Sequence, residues 1–135
     1  MEHIPQIVRG MAIEDLRNNA MMFHLLDALE RGEDIGHYGR LTFAMVARHF
    51  LSEDELCAWL CRNPGVSDHD ARLLCRQVEG RDYNPPRRER ILEWQREQSF
   101  PICPTDDPGA CNVYRDLKFP EQVYEHIQEF YEKKV

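Results

Sequence analysis

Apolar residues recur along this chain at three- and four-residue spacings, the period of a helix with one buried face. The first run spans Ile13 to Arg31: Ile13, Leu16, Ala20, Met22, Phe23, Leu26 and Leu29 form its stripe, and Gly32 stops it. After the turn Ile35-Gly36-His37-Tyr38-Gly39-Arg40, a second apolar run predicts a central helix from Leu41 to Phe50. Ser52 followed by Glu55 is a capping box that opens a third helix, to about Arg62. Leu56, Trp59 and Leu60 face inward there, and Asn63-Pro64-Gly65 ends it. Ser67 or Asp68 caps a fourth helix, about His69 to Glu79, with Leu73, Leu74, Cys75 and Val78 on its core side and Gly80 closing it. The pair Pro85-Pro86 excludes helix before about Pro86, which suits the first position of a fifth helix to about Gln98 with Ile91, Leu92 and Trp94 inward.

Phe100 to Phe119 contains Pro101, Pro104, Pro108 and Gly109 and reads as a loop too long to lack a binding or stapling role. A final helix runs from Pro120 to about Lys134, with Val123, Ile127 and Phe130 in its stripe and Tyr124 and Tyr131 flanking it. Glu121 in its first turn and Lys133-Lys134 in its last both suit the helix dipole. Residues 1–12 read as a short lead-in around Pro5. The pattern shows no strand, repeat or low-complexity segment. The expectation is a single all-α domain over 1–135, a compact bundle of five or six short helices with two functional loops.

At 135 residues the chain is large enough to bury a core. No apolar run approaches the ~20 residues that span a bilayer, and the N-terminus lacks the pattern of a secretory signal. The expected location is cytoplasmic, with no membrane partner. A net charge of −7 argues against nonspecific coating of nucleic acid, but the charges are unevenly spread. Arginine outnumbers lysine 14 to 3, and cations concentrate between Arg81 and Arg96. Arginine suits bidentate phosphate recognition, although genome composition also produces this bias.

The odd set of Cys57, Cys61, Cys75, Cys103 and Cys111 contains no CxxC pair, so a zinc ribbon is not supported. In a reducing cytosol these thiols stay free or bind metal. Cys57 and Cys61, four residues apart on a helix, fit a metal pair or, as expected more often, two small buried thiols.

The serines look like caps, and the nucleotide-binding and hydrolase motifs with a known mechanism are absent. Binding is therefore expected rather than catalysis. Arg40 and Arg48, eight residues apart, can point the same way, and His37 precedes the predicted helix N-terminus, where spare N–H groups favour anions. The alternative is a buried helix with two solvated arginines. Arg72 and Arg76 share the outer side of the fourth helix. Arg87, Arg88 and Arg90 occupy the first turn of the fifth, where the dipole disfavours cations. A bound phosphate or acidic partner explains that placement, and so does neutralisation by Glu89 and Asp82. Tyr38 and Tyr83 offer faces on which a base can stack. The candidate nucleotide- and nucleic-acid-binding residues are His37, Tyr38, Arg40, Arg48, Arg76, Arg81, Tyr83, Arg87 and Arg88.

Four stretches, Gly36-His37-Tyr38-Gly39-Arg40, Gly80-Arg81-Asp82-Tyr83-Asn84-Pro85-Pro86, Cys103-Pro104 and Cys111-Asn112-Val113-Tyr114-Arg115, occur in an order that resembles the C-terminal domain of the large, regulatory subunit of archaeal and eukaryotic DNA primase. The likeness covers roughly residues 4 to 120. It implies a mostly helical, non-catalytic accessory to a primase catalytic subunit. That role is to hold the 5′-triphosphate of an initiating nucleotide or primer, together with template DNA. By the same resemblance His37 and Arg40 match the basic turn on the triphosphate, Arg48 matches a further cation, and Arg76 and Tyr83 fall near the template- and nucleotide-contacting segment.

The family ligates a [4Fe–4S] cluster with four cysteines, of which only Cys103 and Cys111 have counterparts here. Gln6 and Arg87-Arg88 stand at the other two places. The resemblance therefore implies no cofactor, or a cluster rebuilt with Cys57, Cys61 or Cys75. It also implies a stand-alone, cluster-free accessory subunit of the kind found in some archaea, or an excised or diverged relative. Two further readings stay open. One is a protein-interaction scaffold on a diverged primase-like fold. The other is a metal-binding regulator that uses Cys103 and Cys111 with Cys75 and a histidine.

Overall fold

The computed structural model describes residues 13–107 and 109–134, with side chains through residue 127. The lead-in over 1–12, including Pro5 and Gln6, lies outside the described residues, as do Pro108 and the side chains of Phe130, Tyr131, Lys133 and Lys134. The chain is all-helical, and no strand occurs among the described residues. A helical turn over 13–16 precedes α1 (Ala20–Glu30), α2 (Gly36–Ala47), α3 (Glu53–Leu60), α4 (Asp68–Gly80), α5 (Arg88–Gln95), the short α6 (Val113–Asp116) and α7 (Glu121–Lys134). No helix among the described residues is long and apolar enough to cross a membrane.

The predicted helix Ile13–Arg31 is broken. The chain turns at 17–19, and Asn19 caps a new helix by accepting from Met22 N at 3.0 Å. Asn19 is fully buried and also donates to Asp116 Oδ2, so its polar atoms are matched by tertiary partners. Restarting the helix resets its phase. Met21, Met22, Leu25, Leu26, Ala28 and Leu29 are buried, whereas Ala20 faces solvent and Phe23 is 49% exposed. Gly32 takes φ +75 after the helix, as a glycine stop does.

Both capping boxes form. Ser52 and Glu55 exchange hydrogen bonds at the start of α3, and Ser67 does the same with Asp70 at the start of α4. On α4 the core side is Ala71, Cys75 and Val78, and Leu73, expected inside, is 54% exposed. Pro86 does not start α5: Arg87 is the N-cap, Pro86 precedes it buried, and the helix ends at Gln95.

Central α2 packs against α1, α3, α4 and α5. Its buried Phe43, Ala44, Val46 and Ala47 meet Leu25, Leu29, Leu60 and Ile91 in one core cluster. Burying apolar surface of this kind contributes roughly 1.5–3 kcal/mol per large side chain. The long loop is drawn onto this core by buried Ile102, Ala110, Leu117 and Phe119.

The cysteines divide by location. Cys103 and Cys111 are joined in a disulfide across eight residues of the long loop, in place of the free or metal-bound state expected of them. Stapling is thus one role of that loop. Cys57 is buried on α3, but its neighbour is Cys75 of α4, with Sγ atoms 3.3 Å apart, rather than Cys61. Closing a loop of this size restrains the unfolded chain by about 2–3 kcal/mol. Replacing both Cys103 and Cys111 by serine is expected to lower the melting temperature by about 10 °C, and a reductant should do the same to the native chain. Unchanged melting in both cases would mean that the bridge does not form in solution.

Candidate functional site

The stretch Gly36–Arg40 is not a turn ahead of the central helix but its first turn. Gly36 has φ +80, a conformation that favours glycine, and a Cβ there would fall 2.5 Å from Gln98 Oε1. The expected spare N–H groups at this helix start are in use. Gly36 N donates to Asp34 Oδ1 at 2.9 Å, Tyr38 N donates to Gln98 Oε1 at 2.9 Å, and Ile35 N donates to Asn63 Oδ1 at 2.8 Å. The anion at this helix N-terminus is Asp34 itself. The Gly36 N–H, then Asn63 and Arg40, hold its carboxyl below the usual range.

Arg40 pairs with Asp34 at 3.2 Å. His37 is exposed and meets Tyr38 edge-on, with ring centres 5.1 Å apart. His37 and Arg40 share a 260 Å³ cleft with Val66, Leu73 and Gln77. Arg48, the C-cap of α2, turns elsewhere. Its Nη2 donates to Asp82 Oδ1 at 2.8 Å and to Tyr83 O at 3.0 Å. That hydrogen bond is the largest influence depressing the Asp82 carboxyl. Asp82 adopts φ +50, so the Arg48 clamp fixes an unusual backbone at the entry to the Tyr83–Pro86 loop. Arg40 and Arg48 thus line different clefts.

The Tyr83–Pro86 loop opens a groove of about 590 Å³. Leu41 and Met45 of α2, Tyr83, Pro85 and Pro86 of the loop, Arg87, Arg90 and Trp94 around α5, and Tyr114 and Ile127 line it. Tyr38 stacks on Trp94 at 5.7 Å with planes 13° apart. The Tyr114 hydroxyl donates to Pro85 O, and burial pushes its pKa up to about 12. Arg81 lies outside, donating to the Tyr83 hydroxyl at 3.1 Å, and Arg76 is exposed on α4. A second cleft of about 350 Å³ adjoins the groove. The two share Pro86, Arg87 and Tyr114, and the second adds Arg88 and Cys111.

Of the nine expected site residues, Tyr83 and Arg87 meet in the groove, with Tyr38 behind its Trp94 wall and Arg88 in the adjoining cleft. His37 and Arg40, Arg48, Arg76 and Arg81 are apart from it. Trp94, Tyr114 and Arg90 were not among the expected residues. The position of Tyr114 between Cys111 and Arg115 was the signal available for it, whereas Trp94 reads as an ordinary inward aromatic of a helix stripe.

The described residues do not fit an iron–sulfur cluster. The sulfurs of Cys103 and Cys111 are bonded to each other, and two guanidinium groups, not thiolates, stand beside Cys111. Cys75, the third ligand of the metal-regulator reading, contacts Cys57 instead. Among the described residues no three His, Cys, Asp or Glu side chains converge as a metal-holding group.

A polar cluster lies beyond Arg48. His49, Asp82, Asn84, Gln122 and His126 line a 230 Å³ cavity, and His126 Nδ1 donates to Asn84 Oδ1 at 2.8 Å. Comparison with known protein families, curated proteins and solved structures finds no match to this chain.

Burial, then the Arg48 cation, lowers the His49 pKa to about 4, with Asp82 opposing. The folded state therefore resists protonating His49, while the unfolded chain takes the proton near 6.5. Stability from this residue is complete above pH 6.5 and is lost as pH falls to about 4, by up to about 3 kcal/mol. Urea unfolding across this range should show the decline in the native chain and a flatter profile in His49→Gln. Parallel profiles would show that His49 does not stay neutral.

Proposed function

We propose that this chain is a non-catalytic accessory domain of a DNA primase, holding template DNA and the 5′-triphosphate end of the initiating nucleotide or primer for a separate catalytic subunit. One observation carries the reading. Two of the stretches that resemble the primase large subunit, far apart in sequence, line a single groove, and a third packs behind its wall. Tyr38 of the first stacks on Trp94, a wall of that groove. Tyr83, Pro85 and Pro86 of the second line it, and Tyr114 of the fourth hydrogen-bonds to Pro85 across it. The Cys103–Cys111 bridge ties the third stretch to the fourth.

Aromatic faces with arginines at their margin suit bases and phosphates together, and stacking is tolerant of sequence. Arg40 and Arg48 serve the triphosphate in this reading, but each is held by a carboxylate, Asp34 or Asp82. A triphosphate must outbid that carboxylate, and its greater charge makes the exchange favourable at low salt. The same pairing favours the second reading, a scaffold that acts through a protein partner. There the arginines are structural, and the exposed Leu73 and Tyr124 are available for contact.

The deciding measurement is titration with a template–primer duplex at one fixed salt concentration, comparing 5′-triphosphate with 5′-hydroxyl primers. The triphosphate should bind at least several-fold more tightly. Arg40→Ala with Arg48→Ala should remove that preference in the folded protein, and Asp34→Asn should increase it. Equal, weak binding of both primers, unmoved by Asp34→Asn, would leave the scaffold.

A further inference from the structure

Two thiols that the groove does not use meet between helices. Cys57 of α3 and Cys75 of α4 are 1% and 2% exposed, and their sulfurs lie 3.3 Å apart, one S–H donating to the other. α3 and α4 pack against each other, so the contact joins two elements rather than two turns of one. Burial alone accommodates a small apolar side chain at each position. The approach of the sulfurs is a separate observation: a disulfide needs about 2.05 Å, which leaves them about 1.2 Å to close. Cys75 also lines an open cleft of about 540 Å³, together with Arg48, Glu53 and Glu79. Cys61, the C-cap of α3, is only partly buried and is the competing thiol.

We infer that Cys57 and Cys75 form a reversible dithiol–disulfide site, oxidised by hydrogen peroxide from that cleft and closing into a bridge between α3 and α4. In the first step the Cys75 sulfur attacks one peroxide oxygen. The O–O bond breaks, Cys75 becomes a sulfenic acid, and the thiol proton leaves with the other oxygen as water. In the second step the Cys57 sulfur attacks the Cys75 sulfur. The S–O bond breaks, the S–S bond forms, and the Cys57 proton leaves with the hydroxide as a second water. The two thiols lose two electrons and the peroxide gains them. Burial, then the hydrogen bond with Cys57, pushes the Cys75 thiol up, with Arg72 opposing. The pair therefore rests as thiols at neutral pH, and the first step is the slow one. The second is fast because the resolving sulfur is already in contact. Sulfenic acid does not accumulate, and a dithiol reductant reopens the bridge. None of this draws on the nucleotide reading.

Peptide mapping of the peroxide-treated native chain, quenched and then alkylated in denaturant without reduction, tests the site. The oxidised chain should be two hydrogens lighter, with Cys57 linked to Cys75 and Cys61 alkylated. Dithiothreitol should restore both thiols. Cys57→Ala removes the resolving sulfur, so Cys75 should stop at a sulfenic acid that dimedone traps, a product absent from the native chain. Cys61→Ser should leave the Cys57–Cys75 link unchanged. The native-chain map decides the matter even if Cys57→Ala does not fold. Cys57 and Cys75 both alkylated after Cys61 has been fully oxidised would make them inert core thiols and overturn the site. A link from Cys61 to either of them, or a Cys57–Cys75 link that is lost in Cys61→Ser, would overturn it too.

Discussion

Two amide side chains hold the start of α2, and the bundle depends on them. Asn63, just past α3, is 1% exposed; it accepts from Ile35 N and donates to Asp34 and Pro64 O. Gln98, just past α5, accepts from Tyr38 N and donates to Ile35 O and Phe100 O. A helix begins with N–H groups that lack intrahelical partners, and a buried start must find acceptors elsewhere. Here those acceptors come from the ends of two other helices. Satisfying α2 therefore also fixes α3 and α5 relative to it. Because α2 supplies Leu41 and Met45 to the groove and α5 supplies Trp94, the same clasp sets the width of the candidate site.

Charge is organised on a similar principle. Two of the arginines that a sequence reading groups as phosphate ligands are held by carboxylates, Arg40 by Asp34 and Arg48 by Asp82, with Tyr83 O also accepting from Arg48; Arg72, outside that group, is held by Glu53, Asp54 and Asp68. Exposed pairs of this kind contribute little to stability, but they set the charge that an incoming anion meets. In a chain of net charge −7, basic character is local, and its densest cleft is at the start of α5 rather than along α2.

Capping is the reason much of the helix order could be read in advance. Ser52 with Glu55 and Ser67 with Asp70 are local devices: each satisfies N–H groups three residues away, whatever the rest of the chain does. Asn19 is chemically the same device, but in the sequence it hides inside a continuous apolar stripe. Its role rests on burial against Asp116, 97 residues away. Missing it shifts the phase of α1 and puts Phe23 inside when it faces out. The glycine turn fails for a related reason. Gly36 looks like a linker, but its positive φ serves the close approach of Gln98, which no local pattern announces.

The sequence by itself determined the all-helical class, the capped starts of α3 and α4, the rigid Pro85-Pro86 entry to α5 and a list of arginines and tyrosines from which a candidate site could be drawn. All of these follow from spacing and short-range hydrogen bonding. Only the tertiary structure decided which of those residues meet. It separated Arg40 from Arg48, brought Trp94 and Tyr114 to Tyr83, joined Cys103 to Cys111 and set Cys57 against Cys75. The physical reason is range. A cap or a helix stripe is fixed by neighbours within one turn. A groove, a bridge or the partner of a charge is fixed by packing between elements tens of residues apart, where many pairings share the same local sequence signal.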